Sequence, residues 1–184
     1  MRFFIREKSR LPVRGSSRFT ALILLSVCFG VCGVVLGDNL KLHDKVPNKV
    51  EHDAVGLMTS PIKRDSDDFK KLTKNDNPDV VFKDPDNHLM TAALSAKVDA
   101  LAELVKKEWP GKKLRISEAW ADPAGADNDP HMKSSMHREA RAVDISVSDK
   151  DGAKLGRLAR LAVDAGFGWV FYEDELHVHA SVAK

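Results

Sequence analysis

Two stretches of this chain concentrate its reactive and metal-binding side chains. Residues 131–144 read HMKSSMHREARAVD, and residues 173–179 read EDELHVH. Between them they offer His137, Asp144 and His179, two imidazoles and a carboxylate. That is the three-ligand set a tetrahedral Zn²⁺ ion takes when its fourth position stays open to water. Two histidines and one aspartate are more often surface or hydrogen-bonded residues. Their concentration weighs the other way, since four of the seven histidines fall at 131, 137, 177 and 179. Zinc with an open position and a nearby carboxylate suits hydrolysis as well as stability, so the residue types leave both roles open.

Such a site needs elements that bring distant residues together. Residues 141–148, RAVDISVS, alternate and are rich in β-branched side chains, so they read as a strand. Every second side chain of a strand shares a face, which turns Ala142 and Asp144 one way and Val143 and Ile145 the other. In a second candidate strand, 177–181, His177 and His179 share a face by the same rule. If the two strands lie close in one sheet, Asp144 and His179 converge, and His137, in the turn before the first strand, closes the triangle.

The rest of the pattern supplies a scaffold. Leu94, Val98, Leu101 and Val105 fall at helical spacing within 89–109, with Thr91 near the start and Pro110-Gly111 as a stop. Residues 154–165 repeat the pattern through Leu155, Leu158, Leu161 and Ala162. Short strands are expected at 80–82, 114–120 and 169–172. The expected fold class is α+β, with two helices packed on one face of a mainly antiparallel sheet and a zinc site in a surface groove.

A second ion site is suggested by hard oxygen ligands. Asp84, Asp86, Glu118, Asp122, Asp127 and Asp129 lie on loops at the ends of elements expected to be neighbours, which suits Ca²⁺; solvated turn acids are the alternative.

Composition bounds the classes. The chain has 184 residues, 43% hydrophobic and 30% charged, with room for one ordinary domain and an appendage. A formal net charge of +2 argues against nucleic acid as the main partner. Residues 1–77 carry 14 basic and 9 acidic side chains, leaving 15 and 18 for the remainder, so the folded part is mildly acidic. Six basic residues in 1–18 precede an uncharged run over 19–37, the layout of a secretory signal peptide. An uncleaved signal anchor is the competitor, because a spanning helix needs roughly 20 residues. Residues 38–76 mix charges with prolines and few large apolar side chains, and are expected to be an extended or disordered arm. The expected map is therefore 1–37 signal segment, 38–76 arm and 77–184 domain.

Several motifs carry a resemblance. NPDVVFKD at 77–84, the run at 89–120, SSMHREARAVDISVSDKD at 134–151, LARLAVDAGFGWVFYE at 158–173 and HVHASV at 177–182 resemble the N-terminal signalling domain of the Hedgehog family. The S-x-H-x-x-x-x-A-x-D part, 135–144, is also similar to zinc D-alanyl-D-alanine carboxypeptidases, which share the fold and usually carry Gly where Ala140 stands.

The resemblance implies that His137, Asp144 and His179 are zinc ligands. Glu173 and His131 would stand around the zinc-bound water, where a peptidase wants a base and an oxyanion partner, and His177 would lie beside them. In Hedgehog proteins the centre is regarded as structural or partner-binding. The implied function is a secreted, extracellular morphogen that binds cell-surface receptor proteins; the alternative is a zinc peptidase. The family's calcium cluster matches here only at Asp86 and Glu118, with Ala121 and Pro123 in place of two acids and Asp122 between them. Its lipidated Cys-Gly start matches only Cys32-Gly33, which with the signal anchor is a possible membrane tether. Its heparan sulfate cluster is denser than Lys41, Lys45 and Lys49, which read first as a solvated linker. Family precursors continue into a self-splicing, cholesterol-attaching domain, and this sequence stops at Lys184.

Overall fold

A computed structural model describes residues 37–125 and 134–184. The expected signal segment with Cys32, and His131, Asp127 and Asp129, lie outside the described residues.

In chain order the elements are β1 (Lys45–Val46), α1 (Glu51–Val55), β2 (Thr73–Lys74), β3 (Val80–Phe82), β4 (Leu89–Met90), α2 (Ala92–Glu108), β5 (Leu114–Glu118), β6 (Ala142–Val147), α3 (Leu155–Asp164), β7 (Trp169–Phe171) and β8 (Val178–Ser181). Six strands form one sheet in the order β1-β7-β8-β6-β5-β3, while β2 and β4 pair separately. Among the described residues only β3 and β5 run parallel; the other pairings are antiparallel. The fold is α+β with a mainly antiparallel sheet.

Local chemistry explains the two long helices. Thr91 caps α2, its hydroxyl accepting from the Leu94 amide at 3.3 Å, and Gly111 follows the helix with φ +81°, a left-handed turn that glycine adopts without strain. Leu94, Val98, Leu101 and Val105 face inward from α2, as do Leu155, Leu158 and Leu161 from α3. They pack on Leu114, Ile116, Val143, Ile145, Val147, Val170, Val178 and Ala180 from the sheet. Each large aliphatic side chain buried there contributes about 1.5–3 kcal/mol.

The opposite face differs. A second, smaller cluster of Val55, Met136, Ala142 and Trp169 lies there. The strand register lays a polar row beside it: Glu118 stands opposite Asp144, Asp144 opposite His179, His179 opposite Phe171 and Phe171 opposite Lys45. A register shift between Ile116 and Glu118 lets Glu118 join that row.

The segment 38–76 corrects the expectation of a loose arm with a domain starting at 77. Leu40 is buried in the main core, β1 forms the sheet edge on β7, and α1 is a third helix that no periodicity announced. Gly156 makes room for the segment, since a Cβ there would collide with the Leu40 carbonyl. Buried Arg141 donates to the carbonyls of Val55 (3.0 Å), Leu57 (3.3 Å) and Val182 (2.8 Å). Buried Glu139 accepts from the Thr59 and Ser60 amides at 2.8 and 2.7 Å, and its carboxyl is held down to about 2, because hydrogen bonds from Lys184, Thr59, Ser60 and Arg141 outweigh the burial that would raise it. Few apolar residues are needed when buried charges satisfy the backbone directly. Among the described residues no helix is long and apolar enough to cross a membrane.

Candidate metal centre

His137 sits in a one-turn 3-10 helix, Met136–Glu139, begun by Ser135, whose hydroxyl accepts from the His137 amide at 3.3 Å. Ala140 ends the turn in the left-handed region, φ 51° and ψ 36°. A residue with a Cβ bears roughly 1–2 kcal/mol there, which is the physical reason a glycine suits this position. The conformation is held from both sides, Ala140 N donating to His137 O at 3.0 Å and Thr91 N donating to Ala140 O at 3.0 Å. That bend delivers the chain into β6 with Asp144 on the polar face.

There the structure brings His137, Asp144 and His179 together. His137 Nε2 lies 3.3 Å from His179 Nδ1 and 3.3 Å from Asp144 Oδ1, and His179 Nδ1 is 3.0 Å from the same oxygen. The outward nitrogens are both tied. His137 Nδ1 donates to the Ala119 carbonyl at 2.8 Å, and His179 Nε2 donates to Glu51 Oε1 at 2.9 Å. Each ring therefore turns its other nitrogen into the cluster.

Glu51 is the groove residue that sequence reasoning missed. It opens α1, 128 positions from its histidine, in the segment expected to be loose. No local pattern marks it; its signal is purely three-dimensional.

Glu173 and His177 line the same groove, an opening of ≈ 400 Å³ also bordered by Glu118, Trp169 and Phe171. His177 Nδ1 lies 3.1 Å from Asp174 Oδ1, while its Nε2 is 3.3 Å from Glu173 Oε2 and 3.8 Å from Asp144 Oδ2. Although burial would push His179 down, its hydrogen bonds to Asp144 and Glu51 outweigh that and raise it to about 10. Burial likewise opposes a rise in His137, yet the Asp144 charge prevails. Burial would raise the Asp144 and Glu51 carboxyls, but the facing imidazoles hold both below the ordinary range. The groove is a place built to stabilise positive charge, whether carried by protons or by a cation.

The model of the Hedgehog amino-terminal signalling domain matches residues 38–181. The chain belongs to that family.

Relatives include the Tiggy-winkle hedgehog protein of Danio rerio, 41% identical over an alignment of 176 residues that covers 87% of this chain and 41% of that protein. The Sonic hedgehog protein of Xenopus laevis is 46% identical over 143 residues, 74% and 31% respectively. Protein hedgehog of Drosophila ananassae is 43% identical over 150 residues, 78% and 30%. The chain thus spans well under half the length of these curated relatives. The match begins at residue 38, so segment 38–76 belongs to the Hedgehog domain, as its packing requires.

The three expected calcium ligands are not gathered. Asp86 and Asp122 meet on opposite sides of the Arg64 guanidinium, which is itself stacked over the Trp120 ring at 4.7 Å. Glu118 instead lines the histidine groove. The Arg64 guanidinium thus bridges the two carboxylates through ion pairs.

Proposed function

We propose that this Hedgehog domain is a secreted intercellular signalling ligand that docks on cell-surface receptor proteins, with His137, Asp144 and His179 holding a Zn²⁺ ion in its receptor-facing groove. One observation carries the metal reading: three donor atoms lie 3.0–3.3 Å apart. A tetrahedral ion with metal–donor distances of about 2.0–2.2 Å separates its ligands by roughly 3.3–3.6 Å. The pinning of each outward ring nitrogen supports the same reading, because metal-bound histidines are oriented this way. When bound, zinc would supply a Lewis-acidic position for an oxygen of water or of a partner's carboxylate. The surrounding residues then act plainly. Glu51 holds the His179 ring, Ala119 holds His137, and Trp169 and Phe171 present an apolar wall beside the polar row. The basic stretch and uncharged run before residue 38 support export.

The groove also contains what a peptidase would use, with Glu173 as base. Against that reading, the relatives above carry hedgehog names, and Glu173 is engaged by His177. Metal analysis of the purified domain, followed by binding to cells bearing Hedgehog receptors, tests the proposal. One zinc per chain, lost in His179→Ala together with receptor binding, is the expected outcome. A domain that hydrolyses peptides and stops doing so in Glu173→Ala, with zinc retained, would replace the ligand reading by the peptidase one.

A further inference from the structure

The carboxylate of Asp144 faces two different sets of donors. Its Oδ1 is 3.0 Å from His179 Nδ1 and 3.3 Å from His137 Nε2, whereas its Oδ2 is turned to His177 Nε2 at 3.8 Å. Beyond His177 stands Glu173, whose Oε2 is 3.3 Å from the same nitrogen. Asp144, Glu173 and His177 thus form a second group of ligand atoms, all within 4.8 Å of one another.

The His177 ring stands between two carboxylates, its Nδ1 3.1 Å from Asp174 Oδ1 and its Nε2 3.3 Å from Glu173 Oε2, so a ring carrying its proton on Nδ1 would offer the Nε2 lone pair to the groove. The Asp174 carboxylate is itself fixed, accepting from the Leu176 and His177 amides at 2.7 and 2.9 Å. A carboxylate behind an imidazole, with another carboxylate in front, is the arrangement of a metal ligand and its support. Charge points the same way. Glu51, Glu118, Asp144 and Glu173 all border the groove. One divalent ion halves that formal charge, and a second cancels it.

We infer that the groove takes a second divalent transition-metal ion, held by His177 and Glu173 and sharing Asp144 with the first. This rests on the zinc reading of the inner three residues. The outer site is the weaker one: Glu173 is 45% exposed and the spacings are longer. Occupying it ties up Glu173 and His177, so the second ion closes the open side of the first. High zinc would then weaken partner docking.

The test is a calorimetric titration of the metal-free whole domain with Zn²⁺, with bound metal counted at each plateau. Wild type is expected to show two steps, the second at least about tenfold weaker. His177→Ala and Glu173→Gln are expected to lose the second step and keep the first, which also reports that the variants fold. Saturation of wild type at one equivalent overturns the inference and leaves the zinc reading intact. A second step that survives both substitutions also overturns it. Absence of both steps in wild type removes the zinc reading itself.

Discussion

On one face of the sheet, Val143, Ile145, Val178 and Ala180 meet Leu101 and Leu158 from the helices. On the other face, one residue along the same strands, Asp144 and His179 meet His137 from a turn and Glu51 from α1. The two faces are stabilised in different ways. The apolar face gains from the area removed from water, is nearly non-directional, and tolerates exchange of one aliphatic residue for another of similar volume. The polar face depends on a few atoms that must stand at hydrogen-bond or ligand distance, and none of them has a substitute.

Four measurements test that contrast. The largest effect should come from the apolar face: Leu101→Ala, at a fully buried position, is expected to cost about 2–5 kcal/mol in denaturant unfolding. A cost well under that range would mean that the core collapses around the cavity. Next is Glu51→Gln, which keeps the shape of α1 but removes the charge behind His179. Zinc affinity should fall about 10–100-fold, measured by competition with a chromophoric chelator, and the metal-free domain should also lose stability near neutral pH, because the His179 ring loses one of the two carboxylates that favour its protonated form. Equal affinity in the two proteins would make Glu51 a bystander.

The third concerns the strap formed by residues 55–60. Glu139 has a depressed pKa, so its stabilising contacts to Thr59 and Ser60 are fully present above the ordinary carboxylate range and are lost as pH falls through about 2. Hydrogen exchange at those two amides should accelerate over that acid window, and in Glu139→Gln it should be fast already at neutral pH. Protection that is the same in both proteins would show that the strap is held by something else. The smallest effect is expected at the exposed Arg64 bridge. Arg64→Ala should lower the melting temperature slightly and, by leaving Asp86 and Asp122 facing each other, introduce a rise on adding Ca²⁺ that wild type lacks. A calcium-dependent melting temperature in wild type would restore the acidic cluster as an ion site.

Much of the scaffold was legible because it follows periodic rules. The alternation in 141–148 separated Asp144 from Val143 and Ile145 correctly, and the 3.6-residue pattern located α2 and α3 within a few residues of their ends. Histidine concentration pointed to the groove for a comparable reason: of the histidines clustered in the two stretches, His137, His177 and His179 line it, while His131 lies outside the described residues. Segment 38–76 was misread because its order comes from Arg141 and Glu139, buried charges that serve its backbone from about 80 residues away. The surroundings of the acidic residues were hidden for the same kind of reason. Acidic residues can be counted along a chain, but the arrival of Arg64 between two of them cannot.

The amino-acid order by itself determined which residues lie inward, which alternate outward, and which side chains are chemically able to bind a cation, since these depend on residue type and on spacing over a few positions. It takes the folded chain to put Glu51 behind His179, Arg64 between the two acids, and one aspartate before two sets of donors. Those outcomes are set by strand register and by segments meeting over separations of 22 to 128 residues, where no local periodicity carries information.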